Sequence, residues 1–254
     1  MTLRHTRRVP RDWDAQTYDR IADPQFRWGL GVLDRLELRG DETVLDAGCG
    51  SGRVTEALLE RLPNGRVIAF DGSPSMVEQA RERLVRFDGR VTFAVGDLVE
   101  PLEVEPVDAI FSTATFHWVL DHDRLFANLA RATRPGGRLV AQCGGAGNLA
   151  TVVRALEELR SPTFEGDKRF APAEETADRL RRAGYTDVEC WLHAEPTPFA
   201  STEELAVFLK TVALGAHVAS MTSDEADAFA LDVARRLPSP ELDYVRLNIQ
   251  ATMA

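Results

Sequence analysis

Cysteine is scarce in this chain: three residues, at 49, 143 and 190, stand far apart among 254. An odd number with no C-x-x-C pair excludes a disulfide framework and a thiolate metal centre, and suits a reducing compartment. Long apolar runs are absent as well, and no stretch reaches the 18 residues that a membrane span needs. The basic start, Met1 to Arg11, has no apolar core of the kind a secretory signal carries, so a cytoplasmic location is expected. Positive charge is in deficit: 30 Lys and Arg against 40 Asp and Glu leave a net charge of −10. Neutralising phosphates needs a basic face, so a nucleic-acid partner is not expected. No internal repeat or low-complexity segment is evident. At this length the chain supports one large domain, or one domain with an inserted cap.

One glycine is also missing, and its absence is informative. The string Val44-Leu45-Asp46-Ala47-Gly48-Cys49-Gly50-Ser51-Gly52-Arg53 reads as a strand, a glycine-rich turn and the start of a helix. At such a junction a nucleoside-type ligand can meet bare backbone. The dinucleotide fingerprint G-x-G-x-x-G requires glycine at 53, where this chain has arginine. The pattern is instead D-x-G-x-G-x-G. A second apolar strand, Arg66 to Phe70, ends at Asp71, where a carboxylate is placed to take a ribose diol. Gly72 and Ser73-Pro74 then open a helix with Ser73 as N-cap, and Met76 is placed to lie against a base. A third strand, Val91 to Val95, runs into Gly96-Asp97-Leu98.

Strands and helical patterns alternate along most of the chain, which predicts an α/β fold with a doubly wound, mostly parallel sheet of seven strands and helices on both faces. The expected elements are helices over 28–38, 53–62, 124–133 and 173–183, and strands over 43–45, 109–112, 138–143, 188–192 and 243–249. Arg134-Pro135-Gly136-Gly137 reads as a stop and turn. Two amphipathic helices, 201–217 and 223–237, with N-cap signals Ser201 and Ser223, are expected to form a cap inserted before the last strand. Val207, Leu209, Val212 and Leu214 read as packing within it.

The glycine string with Asp46, Asp71 and Asp97 at three successive strand ends resembles the motifs of class I S-adenosylmethionine-dependent methyltransferases. Residues Trp13 to Tyr18, Phe116-His117-Trp118-Val119, Pro196 to Phe199 and Tyr244 to Asn248 extend the resemblance over the whole chain, to the trans-aconitate methyltransferase-like group. The resemblance implies a Rossmann-like cofactor-binding core at 41–195, a helical segment or lid at 1–40, a helical cap at 196–238 and a last core strand at 239–254. It implies S-adenosyl-L-methionine as cofactor, S-adenosyl-L-homocysteine as product, and no metal. Cofactor contacts are expected from Asp46, Gly48, Cys49, Gly50, Gly52, Asp71, Gly72, Met76, Gly96, Asp97, Leu98, Ser112, Thr113 and His117. Cys49 reads most simply as a small buried residue. Asp46 would add negative potential near the ammonium of the cofactor, and Asp97 would accept a hydrogen bond from the adenine amino group. The N/D-P-P-Y/F tetrapeptide of base-methylating enzymes is missing after the fourth strand, where Ser112 to Val119 stand, which argues against nucleobase methylation.

The members of that group methylate carboxylates of small or carrier-bound molecules, so O-methylation of a carboxylate is the implied activity. A carboxylate is already ionised at pH 7 and needs no general base. The alternatives are base-assisted methylation of a phenol, enol or quinone-type metabolite, and a non-catalytic binding protein of the same fold. His117 has three readings: a base, a hydrogen-bond donor to a substrate oxygen, or a residue that shapes the site. Trp118 and Tyr18 are the other candidate catalytic residues, and Tyr18, Trp28, Trp118 and Arg246 the candidate substrate contacts. For Arg246 a carboxylate clamp competes with a surface ion pair, which is the favoured account. Lys210 and His217, two turns apart on one expected helix face, are taken as solvated. The expected partner is a small molecule, with no membrane or nucleic acid, for a monomer or homodimer.

Overall fold

The computed structural model describes residues 23–254. Seven strands form one sheet in the order β3-β2-β1-β4-β5-β9-β6, and a two-stranded ribbon, β7-β8, stands apart. The strands of the large sheet are β1 (Thr43–Ala47), β2 (Arg66–Asp71), β3 (Val91–Val95), β4 (Val107–Thr113), β5 (Thr133–Gly144), β6 (Tyr185–Ala194) and β9 (Val245–Met253). The ribbon pairs β7 (Thr197–Pro198) with β8 (Glu241–Leu242). Neighbours from β3 to β5 are parallel, whereas β9 runs antiparallel between β5 and β6. The expected α/β architecture is therefore the observed one.

Strand alternation builds two cores, one on each face of the sheet. Leu45, Ala47, Ile110, Leu139, Ala141, Leu247 and Ile249 face α4 (His122–Arg131) and α6 (Ala173–Arg182), whose Leu125, Phe126, Leu129 and Leu180 complete that layer. Val44, Val67, Ala69, Ala109, Phe111 and Val140 face the other way. They meet α1 (Asp23–Leu33), α2 (Arg53–Glu60) and α3 (Pro74–Arg83). A third cluster joins α5 (Ala150–Glu158) to α7 (Thr202–Phe208) and α9 (Ser223–Arg236), through Val152, Leu156, Leu205, Phe208, Ala230 and Val233. The cap thus draws on a helix that lies outside 196–238.

Several expected elements differ. The helix expected at 28–38 lies at Asp23–Leu33. The helix expected from Arg124 starts at His122 because Asp121 caps it, its carboxylate accepting from the Arg124 N–H. Arg134 to Gly137 does not end a helix before a separate strand. It is a bulge inside β5, between the pairs Val107–Thr133 and Ala109–Arg138, with Gly136 at φ +75°. The last cap helix is closed by Thr222, which forms a capping box with Glu225, and Ser223 is its first residue. Helix α5 was not foreseen, because the glycines before it read as loop.

The expected single helix 201–217 is broken into α7, a π-helical turn at Leu209–Ala213 and α8 (Gly215–Val218). Lys210 pairs with Asp227 of α9. His217 is half-buried: its Nε2–H donates to the Pro162 carbonyl at 2.8 Å and its ring stacks on Phe229. Neither is a freely solvated side chain.

Candidate active site

The carboxyl ends of β1, β2, β3 and β4 open into a cavity of about 1270 Å³ that the cap covers from the other side. Open α/β sheets take ligands at this position, where the strand order reverses. Here the reversal lies between β1 and β4.

The turn after β1 is tied to β2. The amides of Gly48 and Cys49 both donate to the Phe70 carbonyl, at 2.8 and 3.0 Å. The Gly50 N–H donates to Asp71 Oδ2 at 2.9 Å, and the Ser73 N–H donates to Asp71 Oδ1 at 2.8 Å. Two backbone donors thus fix the Asp71 carboxylate at the cavity wall and leave further lone pairs on each oxygen. Burial pushes its pKa up, and these amides pull it back. Gly48 sits at φ +97°, and a Cβ there would lie 1.9 Å from Thr115 Oγ1. At Gly50 a Cβ would meet nothing within 4 Å, because the backbone borders open cavity. Substitution of Gly48 by alanine is expected to cost about 1–3 kcal/mol through this overlap and the positive φ; thermal unfolding of Gly48→Ala measures it.

Of the fourteen residues expected around the cofactor, the structure places Gly48, Gly50, Asp71, Gly72, Met76, Gly96, Asp97, Leu98, Thr113 and His117 on the cavity wall. Asp97 also accepts from the Val99 N–H at 3.0 Å. The other four do not line it. Asp46 lies on the β1 face that looks at α2, fully buried, and accepts from Thr55 Oγ1 at 2.7 Å. Burial raises its pKa to about 7, with the Asp71 carboxylate adding to the rise and the Thr55 hydroxyl opposing it. Cys49 is buried, and that burial pushes its thiol well up. Gly52 lies against α3, where a Cβ would be 3.1 Å from that of Ala80. Ser112 turns inward and donates to the Ala47 carbonyl at 2.6 Å. These four hold the turn from behind.

Asp46 gives a stability prediction. Its folded pKa stands above that of an unfolded aspartate, so between about pH 4 and 7 the folded chain holds a proton that the unfolded chain has released. Stability from this group therefore falls as pH rises through that window. Asp46→Asn is expected to raise Tm by a few degrees at pH 8 and to match the parent near pH 4, measured by thermal unfolding at both pH values.

The opposite end of the cavity has a different chemistry. His117 is buried, its ring lies 5.2 Å from Trp118 and 5.9 Å from Phe170, and its Nδ1 accepts the Gly144 N–H at 3.3 Å. Burial depresses its pKa well below 6.5, and the positive charges of Arg246 and Lys168 depress it further, with a contribution from His122. The ring is therefore neutral, and with Nδ1 accepting, its proton is on Nε2. Trp118 lines the cavity beside it.

Arg246 is not a surface residue. It is 3% exposed, lines the cavity, and its guanidinium lies 4.6 Å from the Trp28 ring and 5.8 Å from the Tyr244 ring. Its Nε–H donates to Gln142 Oε1 at 3.4 Å. The surface ion pair fails because alternation along β9 turns Leu247 and Ile249 into one core and Arg246 and Asn248 to the other side, under α1. Trp28 does not line the cavity; it backs Arg246 and packs edge-to-face on Tyr244 at 5.0 Å. Tyr18 lies outside the described residues.

Sequence reasoning missed Lys168. It is 8% exposed and lines the cavity. Its ammonium lies 4.5 Å from the Trp118 ring centroid and 4.1 Å from that of Phe164. It donates to Asp167 at 2.8 Å and to the Ala213 carbonyl at 3.1 Å. The run Gly166 to Arg169 reads as a charged loop, and tertiary contacts, among them the Arg169 N–H with the His117 carbonyl at 2.8 Å, place it in the site.

Among the described residues no helix is long and apolar enough to cross a membrane. Residues 44–137 match the family described as a methyltransferase domain. Trans-aconitate 2-methyltransferase of Methylobacterium nodulans is 34% identical over 72% of this chain and 68% of its own length. The enzyme of the same name from Acidovorax ebreus is 29% identical over 89% of each chain. A solved structure of Haemonchus contortus phosphoethanolamine N-methyltransferase 2, in complex with phosphomonomethylethanolamine and S-adenosylhomocysteine, superposes with a TM-score of 0.65 at 21% identity. The match covers 94% of this chain and 56% of that one, and it shows a shared fold. The chain belongs to the class I S-adenosylmethionine-dependent methyltransferases and is an enzyme that uses S-adenosylmethionine as cofactor, related to the trans-aconitate 2-methyltransferases.

Proposed function

We propose that this enzyme O-methylates a carboxylate of a small molecule such as trans-aconitate. The observation that carries the reading is the pairing of two buried cations, Arg246 and Lys168, around a neutral His117 at the cap end of the cavity. The cofactor end carries the opposite charge, in Asp71 and Asp97. Their carboxylates suit the hydroxyl and amino donors of a nucleoside, and the bare backbone at Gly48 and Gly50 leaves room for an amino-acid tail. Gly72, Met76, Gly96, Leu98 and Thr113 would line that half, while Asp46, Cys49, Gly52 and Ser112 would support it.

When bound, S-adenosylmethionine would supply an electrophilic methyl group, and a carboxylate oxygen, already ionised, could accept it without moving a proton. The protein's part is positioning, which can lower such a barrier by about 7–11 kcal/mol. Arg246, backed by Trp28 and Tyr244, offers a planar fork to a carboxylate. His117 Nε2–H donates a hydrogen bond to the acceptor, and Trp118 walls the pocket. A base role for His117 is disfavoured, because its one free lone pair already accepts the Gly144 amide. That removes His117 as the base for a phenol or enol acceptor.

Release of S-adenosylhomocysteine across a panel of acceptors tests the reading. Di- and tricarboxylates are expected to support turnover and phenols and enols of similar size to give none. Turnover with the phenols or enols alone would overturn it.

A further inference from the structure

The cap of this protein contains one turn of π-helix, at Leu209–Ala213, closed by the Leu214 N–H donating to the Leu209 carbonyl at 2.8 Å. Such turns carry one residue more than an α-helical turn and are frequent at functional sites. This one brings the Ala213 carbonyl to Lys168 Nζ at 3.1 Å, and Val212 and Ala213 reach the cavity wall. The ammonium is also held by Asp167 and by the faces of Trp118 and Phe164. A lysine side chain normally keeps its charge in water and its long stem mobile. Here the side chain is 3% exposed and its head is fixed from four directions.

Lys168 and Arg246 both line the cavity, and after burial both charges depress the pKa of the neutral His117 ring. One carboxylate needs one such partner. A nucleophilic carboxylate gripped by two cations would lose reactivity, because both would draw on the lone pairs it must present to the methyl group. Two cations lining one cavity are therefore matched to an acceptor that carries more than one acidic group, one of which shares the Lys168 ammonium with Asp167.

We propose that Lys168 is a specificity-determining residue: seated by the π turn, its ammonium receives an acidic group of the acceptor that is not the one methylated. The inference rests on the carboxylate reading above, and it makes the enzyme selective for polycarboxylates over acids with one free carboxylate. Neutral residues at 168 lose that selectivity, and arginine, which keeps the charge, retains part of it.

Steady-state kinetics with trans-aconitate and with its dimethyl esters, which keep a single free carboxylate, test the proposal in wild type, Lys168→Met and Lys168→Arg. For Lys168→Met the KM for trans-aconitate is expected to rise at least about tenfold, the usual scale of a lost hydrogen bond to a charged group. Its kcat is expected to hold within about threefold, and the KM for the dimethyl esters within about twofold. Lys168→Arg is expected to recover part of the loss. Equal shifts for both kinds of acceptor, or weaker S-adenosylhomocysteine binding by Lys168→Met in calorimetry, would show a structural lysine and overturn this inference alone. No methyl ester from any carboxylate with the wild-type enzyme would overturn the carboxylate reading and this inference with it.

Discussion

Replacement of Arg246 by methionine is expected to lower kcat/KM for the carboxylate acceptor by about 100-fold while S-adenosylhomocysteine affinity stays within about twofold. A buried guanidinium that pairs with a bound carboxylate contributes on this scale, because its removal leaves the anion without its partner in a water-poor site. The structure gives reasons to expect the loss at the acceptor. Arg246 lines the cavity from β9, four strands along the sheet from β2, which carries Asp71. The guanidinium is braced by the Trp28 and Tyr244 rings and by Gln142. Gln142 Nε2–H in turn donates to Asn248 Oδ1 at 2.8 Å, and Arg35 Nη1–H donates to the same oxygen at 2.7 Å. This chain of side chains fixes the fork before any ligand arrives. Lysine at 246 keeps the charge but not the fork, and is expected to lie between the two. Equal losses of acceptor and cofactor binding would show that Arg246 only supports the fold.

Replacement of Asp71 by alanine is expected to weaken cofactor binding at least tenfold, read by calorimetry with S-adenosylmethionine and S-adenosylhomocysteine. Two effects add. The variant removes the acceptor oxygens proposed for the ribose hydroxyls, and it releases the Gly50 and Ser73 amides that Asp71 now holds. Asp71→Asn separates them, since an amide oxygen still accepts one of these bonds but carries no charge. An unchanged affinity in Asp71→Ala would remove this residue from the cofactor site.

The half of the cavity proposed for the cofactor was legible because its signals are local. Asp71 ends one short apolar strand and Gly96-Asp97 follow another, and parallel pairing carries both strand ends, with that of β1, to one edge. Asp46 does not line the cavity, although its strand was read correctly. Its side chain follows the Val44 side of the pleat toward Thr55, and burial depends on which helix covers that face. The half proposed for the acceptor was less legible for the same reason. Arg246 looks like a surface residue until α1 and Trp28 cover it. Lys168 sits in a charged loop whose meaning depends on a π turn some 45 residues later in the chain. That turn has no pattern of its own, and the apolar residues Val207, Leu209, Val212 and Leu214 fit an unbroken helix equally well until Phe208 and Leu209 are seen packed into the cap cluster.

The neutral His117 makes a further distinction measurable. Since it titrates well below pH 6.5, turnover on a carboxylate is expected to show no limb between pH 6 and 9 that belongs to this residue. His117→Gln, which keeps a donor, is expected to retain more activity than His117→Ala.

The most direct measurement is the chemical form of the transferred methyl group. The enzyme is incubated with S-adenosylmethionine labelled with carbon-13 at the methyl and with trans-aconitate, and the product is treated with alkali. A carboxylate acceptor gives an ester, so the label is expected to leave as methanol. A labelled methyl that resists alkali, as an ether or on carbon, or no labelled product from any di- or tricarboxylate, would contradict the carboxylate assignment of the site.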